Sequence, residues 1–215
     1  MRLNKNIIAQ SFSTEQLKMN IELLSALVLF AFVSSITPGP NNFMLMSSGA
    51  NFGFRRTVPH MLGVALGFVL MLVLVGLGVM QLFDLFPTSY QILKVLCIGY
   101  LFYLAYKIAT SQTAEGNNQD KAKPLTFVQA ALFQWVNPKA WTMALSAMSV
   151  YAPSKNVHAT LIVGLVFGLI NLPCVSSWTL LGQKLQHHLK DPRRLQRFNI
   201  TMALLLMVSV LFSMV

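Results

Sequence analysis

The chain has 215 residues, of which 55% are hydrophobic and only 10% charged, with a mean hydropathy of +0.60. A soluble domain carries about 25% charged residues, so this composition excludes an ordinary soluble enzyme and points to a polytopic membrane protein. The net charge of +10 would suit nucleic acid, but the basic residues lie in short segments between apolar runs. There they report orientation and contact with a lipid bilayer, and no nucleic-acid partner is expected.

Residues 1–20 contain no continuous apolar stretch, so they form no signal peptide. Met19 is as good a start as Met1, and residues 1–20 are expected to be a non-essential N-terminal extension. The first apolar run, about Leu23–Ala50, exceeds the ~20 residues a span needs. It is interrupted midway by Ser34-Ser35-Ile36-Thr37-Pro38-Gly39-Pro40-Asn41-Asn42. Two prolines withdraw two backbone donors, and Gly39 loosens the chain between them. At membrane depth such backbone persists only where it is buried in protein or lines a cavity.

The second run, about Val58–Phe83, carries Gly63 and Gly67 at the small-xxx-small spacing of close helix packing. A third, about Tyr90–Ala109, ends in an aromatic group of interfacial type. Residues 111–125 are the one clearly hydrophilic loop. The fourth run, about Thr126–Tyr151, is interrupted at Asn137-Pro138. The fifth, His158–Leu181, contains Asn171 and Pro173, where a further break is expected. The sixth runs from about Phe198 to Val215.

Alternate loops carry unequal positive charge, ten Lys and Arg on one face against four on the other, which places both termini outside the cytoplasm. The fold class expected is all-α: a polytopic membrane protein of six transmembrane helices. They form two inverted three-helix repeats, residues 21–110 and 126–215, joined by a cytoplasmic loop over 111–125. Helices 1 and 4 are broken at matching places, which in inverted halves is the best sequence pointer to a transporter's binding site.

Thr37 and Asn137 are good N-cap residues, each followed by a proline suited to the first helical position. The half-helices starting at Pro38 and Pro138 would then aim free N–H groups and positive dipole ends at the midplane, where a carboxylate binds. Carbonyls freed near Ser34, Ser35, Ile36 and Val136 would receive an ammonium group. The pair of features suits a zwitterion such as an amino acid. Lys139, costly at depth, is positioned to hold the carboxylate, and Asn171 to line the pathway. The candidate substrate-binding set is Thr37, Pro38, Gly39, Pro40, Asn41, Asn42, Asn137, Pro138, Lys139 and Asn171.

Gln129 and Gln134 are further polar residues at depth, Lys94 reads as a snorkelling anchor, and Trp141 and Trp178 as packing residues. Cys97 and Cys174 read as small packed hydrophobes. The four histidines lie near segment ends, and no metal-ligand spacing is present, so neither metal nor cofactor is expected. No His or Asp lies mid-span to serve as a base, so the chain is not expected to be an enzyme. A non-transporting membrane subunit is the alternative of a different class, and a homodimer is compatible with the sequence.

Thr37-Pro38-Gly39-Pro40-Asn41-Asn42, Gly53-Phe54-Arg55, Gly63-Val64-Ala65-Leu66-Gly67 and Asn137-Pro138-Lys139-Ala140 together resemble the LysE/RhtB family of amino-acid exporters. The resemblance covers about residues 19–215, and the N-terminal extension departs from it. Within the family, the Thr37-Pro38-Gly39-Pro40-Asn41-Asn42 form and Lys107-Ile108-Ala109-Thr110-Ser111 are most similar to the cysteine/O-acetylserine exporter branch. The resemblance implies efflux of small neutral amino acids or derivatives by a secondary transporter of the bacterial inner membrane. Other amino acids (homoserine, threonine, leucine or basic ones) are the alternative substrates. Site residues carried over are Pro38, Gly39, Pro40, Asn41, Asn137, Pro138 and Lys139.

Overall fold

The computed structural model describes residues 21–79, 81, 85, 87–111, 123–152 and 157–214. The N-terminal extension and most of the 111–125 loop lie outside the described residues, as do the side chains of Lys94 and Cys97. Among the described residues the chain is all helix, with no strand: α1 (Ile21–Ile36), α2 (Pro40–Phe52), α3 (Phe54–Gly76), α4 (Pro87–Ala109), α5 (Phe127–Val136), α6 (Pro138–Tyr151), α7 (Val157–Gln186) and α8 (Pro192–Met214).

Caps set the helix ends more than hydropathy does. Thr126 and Gln129 form a reciprocal capping box that starts α5, the Thr126 hydroxyl accepting from Gln129 N at 3.2 Å and Gln129 Oε1 accepting from Thr126 N at 3.0 Å. Gln129 therefore caps a helix end instead of lying at depth. Asp191 accepts from the backbone of Arg193 at 2.8 Å, just before Pro192 at the first helical position, so α8 begins six residues ahead of the expected Phe198. Gly53, at φ 77°, turns the chain from α2 into α3, a left-handed conformation that favours glycine.

The first expected break is present: α1 and α2 meet at a bend of 54° across Thr37–Gly39. The second is a one-residue interruption at Asn137, whose φ −95° and ψ 107° are extended. The third expected break is absent. Helix α7 runs unbroken through Pro173 for 30 residues, because membrane helices tolerate proline where neighbouring groups take up the freed carbonyl.

By length and apolarity α3 and α7 each qualify as a membrane span, and α1 with α2 qualifies as a bent one. Large apolar side chains face outward along them, among them Leu161, Leu165 and Leu169 on α7 and Leu29 and Phe32 on α1. Such a continuous exposed surface belongs in lipid rather than water.

Inside, α2 packs along α7, α3 along α5 and α7, and α4 along α8. Glycines set the closest of these approaches. A Cβ on Gly49 would fall on the Thr179 carbonyl oxygen, and one on Gly182 on that of Met46. Gly63 and Gly67 lie just as close to the backbone at Phe127 and Ala131 of α5, as their spacing predicts. Two apolar cores result, one around Leu45, Val64, Leu104, Phe133 and Leu206, the other around Ala31, Phe68, Met71, Ala144 and Phe167. The two broken segments meet between them.

Candidate functional site

A helix that stops inside a membrane protein leaves its last carbonyls without partners, and each must find a donor. At the end of α1 every such oxygen is served. Val33 O accepts from Thr37 N at 3.1 Å and Ser34 O from the Thr37 hydroxyl at 3.1 Å. Asn42 reaches back from the first turn of α2 and donates through Nδ2 to Ser35 O at 2.9 Å and Thr37 O at 2.7 Å. Ile36 O accepts from the indole Nε1 of Trp178 on α7 at 3.0 Å. Lys139, from the first turn of α6, donates through Nζ to Thr37 O at 2.8 Å, Thr37 Oγ1 at 2.9 Å and Pro38 O at 3.3 Å.

This changes two expectations. Thr37 does not cap α2: the N-cap is Gly39 with no side-chain cap bond, and the N1 proline is Pro40 rather than Pro38. Thr37 instead closes the end of α1, because its hydroxyl meets the Ser34 carbonyl one turn back. The carbonyls of Ser34, Ser35 and Ile36 are likewise occupied by the protein's own donors. Gly39 has φ −179° and ψ 178°, an extended backbone any residue adopts. Its missing Cβ matters for space, since one would stand 2.7 Å from Lys139 Cδ and 3.0 Å from Nζ.

At the second break the expected cap is in place. Asn137 is buried, and its Oδ1 accepts from Lys139 N at 3.1 Å ahead of Pro138. Trp135 O, near the end of α5, accepts from Trp141 Nε1 at 2.8 Å, so an indole serves each break. The two breaks are tied directly. Asn41 Nδ2 donates to Gln134 Oε1 at 2.8 Å, and Gln134 Nε2 returns a bond to Asn41 Oδ1 at 3.2 Å.

Between these groups lies a recess of about 330 Å³, its open mouth included. Ser34, Ser35, Gly39, Asn41 and Asn42 line it from the first break, and Gln134, Asn137 and Lys139 from the second. Asn171 and Val175 of α7, Phe68 of α3, and Ala140 and Met143 of α6 complete it. Of the sequence-derived set, Gly39, Asn41, Asn42, Asn137, Lys139 and Asn171 thus face one space. Thr37 and Pro38 hold Lys139 at its edge, while Pro40 and Pro138 start the two inner half-helices. Sequence reasoning passed over the apolar wall of Phe68, Met143 and Val175, for which periodicity offers no signal against ordinary core. It also undervalued Trp178, although an indole N–H in a membrane segment needs an acceptor.

Two electrostatic features stand out. Among the described residues Lys139 is the sole charged side chain lining the recess, and it lies against the end of α2 that lacks a side-chain cap. Asn171, 6% exposed, donates through Nδ2 to Ser35 Oγ at 3.2 Å. Its Oδ1 is buried without a hydrogen-bond partner among the described residues. An unpaired buried acceptor costs about 1–3 kcal/mol, and this one belongs to a residue that lines the recess.

The LysE type translocator family matches residues 32–214. A Cysteine/O-acetylserine efflux protein of Escherichia coli (strain K12) is 31% identical over 193 residues, covering 87% of this chain and 95% of the relative. Its namesake in Shigella flexneri is 31% identical over 189 residues, 86% of this chain and 93% of the relative. No solved structure matches. An all-helical chain with outward apolar faces, two broken segments around a polar recess, and translocators as relatives is a multi-pass membrane transporter rather than an enzyme, and it belongs to the LysE type translocator family.

Proposed function

We propose that the chain exports small neutral amino acids or derivatives of the cysteine/O-acetylserine kind across a bacterial inner membrane. In this reading it is a secondary transporter working by alternating access between two inverted three-helix halves, α1–α4 and α5–α8, with both termini periplasmic. Six spans follow if α1–α2 and α5–α6 each cross once. The packing of α3 on α7 and of α4 on α8 is what a two-fold relation between the halves would produce.

The observation that carries the reading is the recess shared by both breaks. An uncapped helix N-terminus and a lysine ammonium offer a carboxylate its partners, and Asn171 Oδ1 offers an acceptor to a substrate donor. The lining has one cation and no anion, which disfavours a basic side chain. Relatives named for efflux of cysteine and O-acetylserine support a small neutral one.

The test is efflux from cells loaded with cysteine or O-acetylserine, with and without overexpression, comparing wild type with Asn41→Ala and Asn137→Ala. Both variants are expected to insert normally and to lose most of the added efflux. Unchanged efflux in both rejects the site, and no efflux above background by wild type rejects the function.

A further inference from the structure

We propose that the Thr37 and Pro38 oxygens form the substrate's α-ammonium subsite, and that Lys139 is their resident occupant, displaced when substrate binds. This rests on the amino-acid reading above and adds to it the order in which charges exchange.

The inference follows from which carbonyls are held by what. Those of Val33, Ser34, Ser35 and Ile36 are bound by a backbone amide, two short side chains and an indole packed edge-on against Phe43. None of these donors can leave without unravelling the break. Thr37 O keeps Asn42 Nδ2 as one fixed donor, but it shares with Thr37 Oγ1 and Pro38 O a primary ammonium at the tip of a long side chain from another helix, 102 residues away for Thr37 and 101 for Pro38. That cradle already fits the chemical group an amino acid carries.

Lys139 is also poorly placed to rest elsewhere unaided. It lies in the first turn of α6, where the helix dipole disfavours a cation, and the carbonyl end of α1 offsets this. A zwitterion solves the exchange by itself. Its ammonium takes the cradle while its carboxylate, at the uncapped start of α2, receives the released Lys139. An amine alone would leave Lys139 without a counter-charge, and a carboxylate alone would take the ammonium from Pro38 O and leave Thr37 O with Asn42 as its one donor among the described residues. Gly39 gives the lysine stem its path, since a Cβ there would stand 2.7 Å from Lys139 Cδ.

The test uses the purified full chain in detergent, with wild type, Lys139→Ala and Lys139→Met, the last keeping an apolar stem should alanine impair folding. Ethylammonium chloride is compared with tetramethylammonium chloride, which has no N–H donor, at equal ionic strength. Ethylammonium is expected to raise Tm of the lysine-free variants by about 3–6 °C, the shift for ligand near ten times its Kd in a chain of this size, and tetramethylammonium to leave it unmoved. Wild type should respond to neither salt. Equal shifts in wild type and variants, or no difference between the two cations, overturn the proposal.

In wild-type vesicles, excess N-acetylcysteine should leave cysteine transport unchanged, because it carries no ammonium. Competition equal to that of unlabelled cysteine also overturns it. A selective ethylammonium shift in a protein that moves no amino acid would refute the transport reading and keep the cradle, whereas transport without that shift would refute the cradle alone.

Discussion

The reciprocal Asn41–Gln134 pair joins the two breaks directly, beside the Lys139 bonds to Thr37 and Pro38, and its strength can be worked out residue by residue. Gln134 is fully buried, and its Nε2 keeps a second acceptor, Ala130 O at 2.9 Å, when Asn41 is removed. Its Oε1 has no such reserve, because Asn41 Nδ2 is the donor recorded for it. Asn41→Ala therefore strands a buried acceptor, at about 1–3 kcal/mol. Gln134→Ala strands nothing comparable, because Asn41 is half-buried at the mouth of the recess and water can serve it. The double variant removes both partners and the stranded oxygen together. Interhelical hydrogen bonds in membrane proteins couple by about 0.6 kcal/mol on average and up to about 1.7. With two bonds and one stranded acceptor, the double-mutant cycle should give about 1–2 kcal/mol. The assay is reversible unfolding of the detergent-solubilised chain in SDS, followed by far-UV circular dichroism. A coupling energy below about 0.5 kcal/mol would mean that this pair does not help to hold the breaks together, and the reasoning would fail.

Three further outcomes follow from other contacts. Gly49→Ala places a methyl on the Thr179 carbonyl of α7 and should cost about 1–3 kcal/mol as an overpacking change; its effect with Gly182→Ala should be far from additive, because both report one crossing. Asn199, fully buried on α8, donates to Asn51 Oδ1 at 3.1 Å and Ser111 O at 2.7 Å; Asn199→Leu should lower stability by about 1–3 kcal/mol, read as a fall in Tm. Asn171→Leu removes a bond to Ser35 but also an unpartnered buried oxygen, so stability should change by less than about 1 kcal/mol. Cysteine efflux by that variant should drop at least tenfold, and full retention would show that Asn171 Oδ1 does not meet the substrate.

Both helix interruptions were legible because proline, glycine and asparagine declare themselves locally. The Asn137 cap, the close packing at Gly63 and Gly67, and the convergence of Asn41, Asn42, Lys139 and Asn171 on one space could likewise be read from residue type and spacing. What could not be read was the fate of the freed carbonyls. Whether Ile36 O awaits a ligand depends on Trp178, 142 positions away, and the fate of Thr37 O depends on Lys139, 102 positions away. No periodicity within either segment encodes that pairing. The same limit applies to Thr37: its hydroxyl suits a cap on either side, and in the fold it turns back to Ser34 O at the end of α1. Pro173 misled for the opposite reason, since a local rule about proline was overridden by the neighbours that surround α7.

The close approach of α2 to α7, at Gly49 against Thr179 and at Gly182 against Met46, gives these two helices a pivot. Their backbones touch there, so that point can turn but cannot slide apart without loss of packing. Asn41 lies eight residues from Gly49, an arm of about 12 Å at 1.5 Å per residue. Asn171 lies eleven residues from Gly182 on the other helix, an arm of about 16 Å. A turn of ~10° about the pivot carries Asn41 about 2 Å against α7, enough to make or break the bonds that the first break makes to other helices while the crossing barely shifts. The site stands at the far end of a lever whose bearing is two missing side chains.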